Sequence, residues 1–145
     1  MATYGFKPVG TRDGQPMVVE TFTVGSVVLK QYDLVKFHTD GTLLVAVTRD
    51  TAVVGVILTA NDSDGHLNVG SSVQVVTSPN LLVFADSDGA ACTVGTSYSI
   101  SGGTGAQQVD VSDTGDYNMY CVQVDPYGTD ASTGIFEIKN TGTSV

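Results

Sequence analysis

The sequence contains no tryptophan, two cysteines, two histidines and four prolines, and six of its 145 residues are lysine or arginine. Each shortage excludes something. So few cations against 15 acidic residues, a formal charge of −9, rule out direct binding to a phosphate backbone, which is held through Lys and Arg. His38 and His66 stand apart and Cys92 and Cys121 form no Cys-x-x-Cys, so the spacing of a zinc site is missing. Two cysteines do not make a disulfide scaffold. They read as two buried thiols, with a single bridge as the alternative. No run approaches the ~18 apolar residues of a membrane-spanning helix, and the opening residues lack the apolar stretch of a signal peptide, so synthesis in a cytoplasm is expected. No apolar i, i+3, i+4, i+7 pattern is sustained, which leaves little room for helix.

The abundant residues point to strands. There are 17 glycines, and thirteen of the acids are Asp against two Glu, a bias toward turns and strand ends. From Val24 to Ala60, short runs rich in Val, Leu and Ile follow one another: Val27 to Leu29, Leu34–His38, Leu43–Val47 and Val53–Leu58. Val35 and Phe37 alternate with Lys36 and His38, as in a half-wet strand. Leu43–Val47 and Val53–Leu58 are apolar on both faces, so they are either central and covered or present a face to another chain. Asp40-Gly41 is placed for a hairpin. Further strands are expected at Val73–Thr77, Leu81–Ala85, Ala90–Val94, Tyr98–Ile100, Asn118–Val124 and Ile135–Lys139. The expected fold is all-β, an antiparallel sandwich or partly closed barrel of about 8–10 short strands. An extended N-terminal arm spans 1–23, one β domain 24–140, and a flexible tail 141–145.

Reactive constellations are missing. Asp-Ser-Asp-Gly occurs at Asp62–Gly65 and Asp86–Gly89, but Val73 and Ser97 stand where a calcium loop needs its bidentate Glu. Hairpin turns explain both copies. No Gly-x-Ser-x-Gly elbow is present, and Gly102 to Gly105 lacks the Lys-Ser/Thr of a phosphate loop and reads as a flexible tip. No enzyme activity, metal or cofactor is expected, and such a domain works by surface contact.

Tyr4-Gly5-Phe6-Lys7-Pro8-Val9, followed by Asp13-Gly14-Gln15-Pro16, resembles the opening of the head decoration (cement) proteins of tailed bacteriophages. Tyr32-Asp33-Leu34-Val35-Lys36, Asp40-Gly41 and Val54-Gly55-Val56 look like that family's strand, hairpin and Gly-Val strand, with Tyr32 where the family often has Gly. Asn80 to Ala85, Val94-Gly95-Thr96, Gly102 to Gly105 and Val109-Asp110-Val111-Ser112 continue the similarity in order and spacing. The resemblance implies a β-rich body on the outer surface of a virion capsid, bound to the major capsid protein as a homotrimer, with a dimer as the alternative, and in contact with neither nucleic acid nor membrane. Tyr4, Phe6, Pro8 and Val9 are the expected contacts to capsid protein or a sister subunit. Leu44, Ala46, Val53 and Ile57 are the expected oligomer interface. A competing expectation is a carbohydrate-binding or adhesin module in which Tyr4, Tyr98, Tyr117, Tyr120 and Tyr127 stack on sugars.

Overall fold

The computed structural model describes residues 4–23, 29–37, 42–48, 53–59, 72–115 and 117–139, and the backbone of 66–67. The described residues form thirteen strands and no helix. In chain order they are β1 (Lys7–Thr11), β2 (Val19–Thr23), β3 (Leu29–Lys30), β4 (Leu34–Phe37), β5 (Leu43–Val45), β6 (Gly55–Ile57), β7 (His66–Leu67), β8 (Ser72–Val76), β9 (Leu81–Asp86), β10 (Ser97–Ser101), β11 (Gln108–Thr114), β12 (Met119–Val124) and β13 (Thr133–Ile138). One sheet has the order β1-β9-β13-β12-β10-β11, the second β2-β8-β6-β4-β5, and β3 pairs with β7 in a small ribbon. All pairings between these strands are antiparallel. The two large sheets pack face to face as a sandwich and do not close into a barrel.

Alternation along the strands builds two cores. Leu34, Val56 and Val76 point from the five-stranded sheet into the space between the sheets, where they meet Leu81, Val83, Ile100, Val109, Met119 and Phe136 of the other sheet. Their neighbours Val35, Ile57 and Val75 point the opposite way and are buried with Leu29 of the ribbon, Leu43 and Val54. Fully burying a Val or Leu side chain contributes about 1.5–3 kcal/mol, so a sheet buried on both faces is strongly held. The apolar faces of residues 53–57 are therefore central and covered, whereas β5 is an outer strand on which Leu43 and the following Ala46 are buried and Val47 is exposed. Ala46 and Val53 lie in the inter-sheet core and Ile57 in the second core, each with no accessible surface. Those three do not form an interface with another chain; of the four residues expected there, Leu44 on β5 is the one that is not fully buried.

The first 23 residues do not form a separate arm. β1 pairs with β9 and β2 with β8, so this segment supplies one outer strand to each sheet. Pro8 is tolerated because β1 is an edge, and the register shifts between Pro8 and Gly10. The expected strand at Ala90–Val94 is instead part of an irregular crossover from β9 to β10, in which the Thr93 N–H donates to the Tyr98 hydroxyl at 2.8 Å. Asp86–Gly89 opens that crossover and is not a hairpin. The β4–β5 hairpin is present, with Phe37 opposite Leu43. Asp40-Gly41, Asp62–Gly65 and the tail 141–145 lie outside the described residues.

One buried amide ties the sheets together. Gln107 has no accessible surface. Its Oε1 accepts from the Leu34 N–H at 2.7 Å, and its Nε2 donates to the carbonyls of Ala46 at 2.9 Å and Leu34 at 3.3 Å. Its own carbonyl accepts from the Gly5 N–H at 2.9 Å. Gln107→Ala removes these partners and leaves buried backbone groups unpaired, for an expected loss on the order of 3 kcal/mol in urea unfolding. Gln107→Glu keeps the acceptor for Leu34 but turns its other oxygen toward two carbonyls, which raises the folded-state pKa of the new carboxyl. Its stability should be present at low pH and fall as pH rises through that raised pKa, whereas the wild-type stability should lack this component.

Candidate functional site

A groove of about 440 Å³ lies on the N-terminal side of the six-stranded sheet, lined by Tyr4, Gly5, Lys7, Val9, Tyr32, Phe84 and Tyr127. Phe84 is there because β9 alternates: Val83 and Ala85 enter the core, so Phe84 faces outward. The Tyr127 ring lies 5.4 Å from that of Phe84 at 42°, a favourable tilted contact. Tyr127 is 71% exposed, Tyr4 50% and Val9 47%. Lys7 is the one charged residue of the lining, so the groove holds no acid on a chain whose formal charge is −9.

The wall of the groove is set by two backbones in close approach. Gly5 has φ 87°, and a Cβ built on it would meet the Tyr32 Cβ at 2.9 Å. The Phe6 N–H donates to the Tyr32 carbonyl at 2.9 Å, and the Tyr32 N–H donates to the Ile57 carbonyl at 2.8 Å. Tyr32 itself adopts φ 70°, a conformation that costs a residue with a side chain of order 1–3 kcal/mol.

Asp33 holds Tyr32 in place. Its carboxylate has no exposure and accepts from the Lys30 N–H at 2.8 Å, from the Gly105 N–H at 2.9 Å and from the Thr104 hydroxyl. The Gly-rich tip between β10 and β11 is thus docked on Asp33, not free. Desolvation raises the Asp33 pKa above the ordinary carboxylate value, while the bonds from Thr104, Gly105 and Lys30 pull it down without cancelling the rise.

Of the expected contact residues, Tyr4 and Val9 face solvent in this groove, and Pro8 is half-buried on β1 opposite Val83. Phe6 is different. It has no accessible surface and belongs to the inter-sheet core, so it anchors the segment and does not touch a partner. The groove brings Tyr4 and Tyr127 together, two of the five tyrosines considered for sugar stacking. Tyr98 is buried, and Tyr120 lies beneath Arg12 and Lys139 at 5.5 and 5.0 Å from its ring centroid. Those two cations converge on the buried Glu137 carboxylate at 3.1 and 3.2 Å. Lys7, Tyr32 and Phe84 were not among the expected contact residues; the alternation of Phe84 with Val83 and Ala85 carried the one usable signal.

Other chemistry is sparse. A second cavity of about 370 Å³ is lined by Asp86, Ser87, Asp88, Gly89, Gln108, Asp130 and Ser132. Its carboxylates are engaged within the protein: Ser132 Oγ lies 2.7 Å from both the Asp86 and the Asp130 carboxylate, with one proton to give to either, Asp130 also accepts from Ser132 N–H at 3.0 Å, and Asp88 accepts from Val111 N–H at 3.1 Å and Ser101 Oγ at 3.0 Å. Among the described residues no group of three or more His, Cys, Asp or Glu is arranged to hold a metal ion. Cys92 and Cys121 are free, buried thiols. Burial pushes the Cys92 thiol up to about 12, with smaller contributions from Cys121 and Asp88, so it stays protonated and unreactive at neutral pH. No family model and no curated protein matches the chain.

Two measurements test this construction. Gly5→Ala should lower stability by more than about 1 kcal/mol, because the methyl group is strained at a positive φ and meets Tyr32. Asp33→Ala leaves the Lys30 and Gly105 N–H groups without their acceptor, at a cost on the order of 2 kcal/mol. A raised folded-state pKa favours folding below the unfolded value and loses that contribution as pH rises. The deficit of Asp33→Ala relative to wild type should therefore be larger near pH 4 than at pH 7 in parallel denaturant titrations.

Proposed function

We propose that this protein is a capsid decoration protein of a tailed bacteriophage, which binds the outer surface of the head, bridges major capsid protein subunits and stabilises the expanded, DNA-filled shell. The observation that carries the reading is the N-terminal segment. Its Tyr-Gly-Phe-Lys-Pro-Val run is the part that most resembles the family, and in this chain it is clamped to the sandwich by Phe6 and Gly5 while Tyr4 and Val9 face outward beside Tyr127. An ordered apolar ledge loses little conformational entropy when a partner covers it. The acidic body around it disfavours contact with packaged DNA.

Bridging makes modest contacts sufficient. A body that touches several capsid subunits favours the one lattice geometry that presents all its sites together. Linking two or three such contacts raises avidity by roughly 10²–10⁴. The carbohydrate-binding module remains a second reading, favoured by one observation: Tyr4 and Tyr127 share a groove with Lys7, an apolar platform with polar tips.

The double variant Tyr4→Ala/Tyr127→Ala separates the two. On the decoration reading it should bind expanded shells of the phage's major capsid protein at least tenfold more weakly than wild type in a co-sedimentation assay, with unchanged β circular dichroism and only the small drop in melting temperature that loss of the Phe84–Tyr127 ring contact brings. Wild-type protein that ignores expanded shells but is retained by a glycan array would establish the module instead.

A further inference from the structure

The described sheets have four outer strands: β1 and β11 in one, β2 and β5 in the other. An outer strand presents unpaired backbone groups that invite another chain, and proteins blunt it with proline, bulges, charge or shortness. Three of the four are blunted. β1 carries Pro8 and a register shift; β11 has a register shift opposite Tyr98 and Ser99 and bears Asp110 and Asp113; β5 is three residues long. β2 is not blunted. It runs through Val19, Glu20, Thr21, Phe22 and Thr23 in unbroken register with β8, without proline, glycine or bulge and with one charge. Met17, Val18 and Val19, leading into it, are 40%, 49% and 42% exposed.

The direction of its backbone groups follows from its neighbours. The Thr77 N–H donates to the Val18 carbonyl, and across β8 the Leu58 N–H donates to the Gln74 carbonyl, both at 2.9 Å. Hydrogen-bonded pairs alternate along antiparallel strands. Residues 18, 20 and 22 therefore turn their N–H and C=O toward β8, and Val19, Thr21 and Thr23 turn theirs to the open side.

We propose that β2 docks on β2 of a second copy of this chain, antiparallel across a two-fold axis at Thr21. The outward groups are symmetric about that residue, so in this register Thr21 meets its own counterpart, Val19 meets Thr23, and no outward N–H or C=O of the strand is left over. The side chains agree. Thr21 opposite Thr21 and Val19 opposite Thr23 are β-branched cross-strand pairs, and Glu20 falls opposite Phe22, not opposite the other Glu20. Because the other outer strands are blunted, a copy of the chain has β2 to offer and β2 to accept it. The pairing favours a dimer over a trimer and does not depend on the capsid reading.

Sedimentation equilibrium at high-micromolar concentration tests it. Wild-type protein should have twice the 15.0 kDa mass of the chain. Thr21→Pro removes an outward N–H and none of the bonds to β8, so it should be monomeric with unchanged β circular dichroism. Thr21→Cys should form a covalent dimer on mild oxidation, since facing Cα atoms about 5.5 Å apart suit a disulfide. Thr23→Cys should not, because its counterpart lies at the far end of the paired strand. Wild-type monomers or trimers, a Thr21→Pro protein that dimerises like wild type, or equal crosslinking of the two cysteine variants would overturn the proposal. A dimer that ignores expanded shells would leave the pairing standing and remove the capsid reading alone.

Discussion

The fold depends on satisfying polar groups where two sheets and the N-terminal segment converge. Apolar burial holds the sheets face to face but is non-directional and does not choose their offset. Gln107 does. An amide with an acceptor on one side and donors on the other copies one rung of a strand, so it fits against Leu34 and Ala46 in one alignment. Its main chain simultaneously fixes Gly5. The Asp33 carboxylate repeats the device one turn away by receiving the loop that immediately precedes Gln107. Buried polar groups of this kind are costly when broken, and that cost gives the sandwich a single alignment.

The same convergence shapes the outer surface. Since Gly5 and Tyr32 are pressed together, the side chains on either side of them are delivered to fixed places, Phe6 inward and Tyr4 outward. A strained Tyr32 persists only because the surroundings over-determine it. The groove is therefore ready-made, with its apolar walls open before any partner arrives, and it is the described site that joins exposed aromatic rings to a backbone this firmly held.

The sequence made the central strands legible because their side chains alternate or run apolar over the right length, as in residues 34–37, 55–57, 72–76 and 81–86. It concealed three of the four outer strands, β1, β2 and β11. β1 contains Pro8 and β11 interleaves Val109 and Val111 with Asp and Ser, so both resemble loops until a neighbour supplies their hydrogen bonds. β12 keeps strict alternation up to Cys121, but a bulge between Cys121 and Gln123 turns Val124 back toward the core and leaves Gln123 exposed. At residues 90–94, apolar composition was not enough to make a strand. The groove was legible at Tyr4 and Val9, but not at Tyr32 or Phe84, whose place depends on pairings between residues far apart in the chain.

The strand order also sets a sequence of events. Every strand of the five-stranded sheet lies between residues 19 and 76, whereas β13, the last described strand, sits in the interior of the six-stranded sheet between β9 and β12. A chain emerging from the ribosome can assemble the first sheet early. It cannot complete the second until residue 138 has been made, and β1, synthesised first, has no β9 to pair with until more than half the chain has followed. Closing such distant pairings is slow, so the nascent protein carries an unfinished apolar face for most of its synthesis.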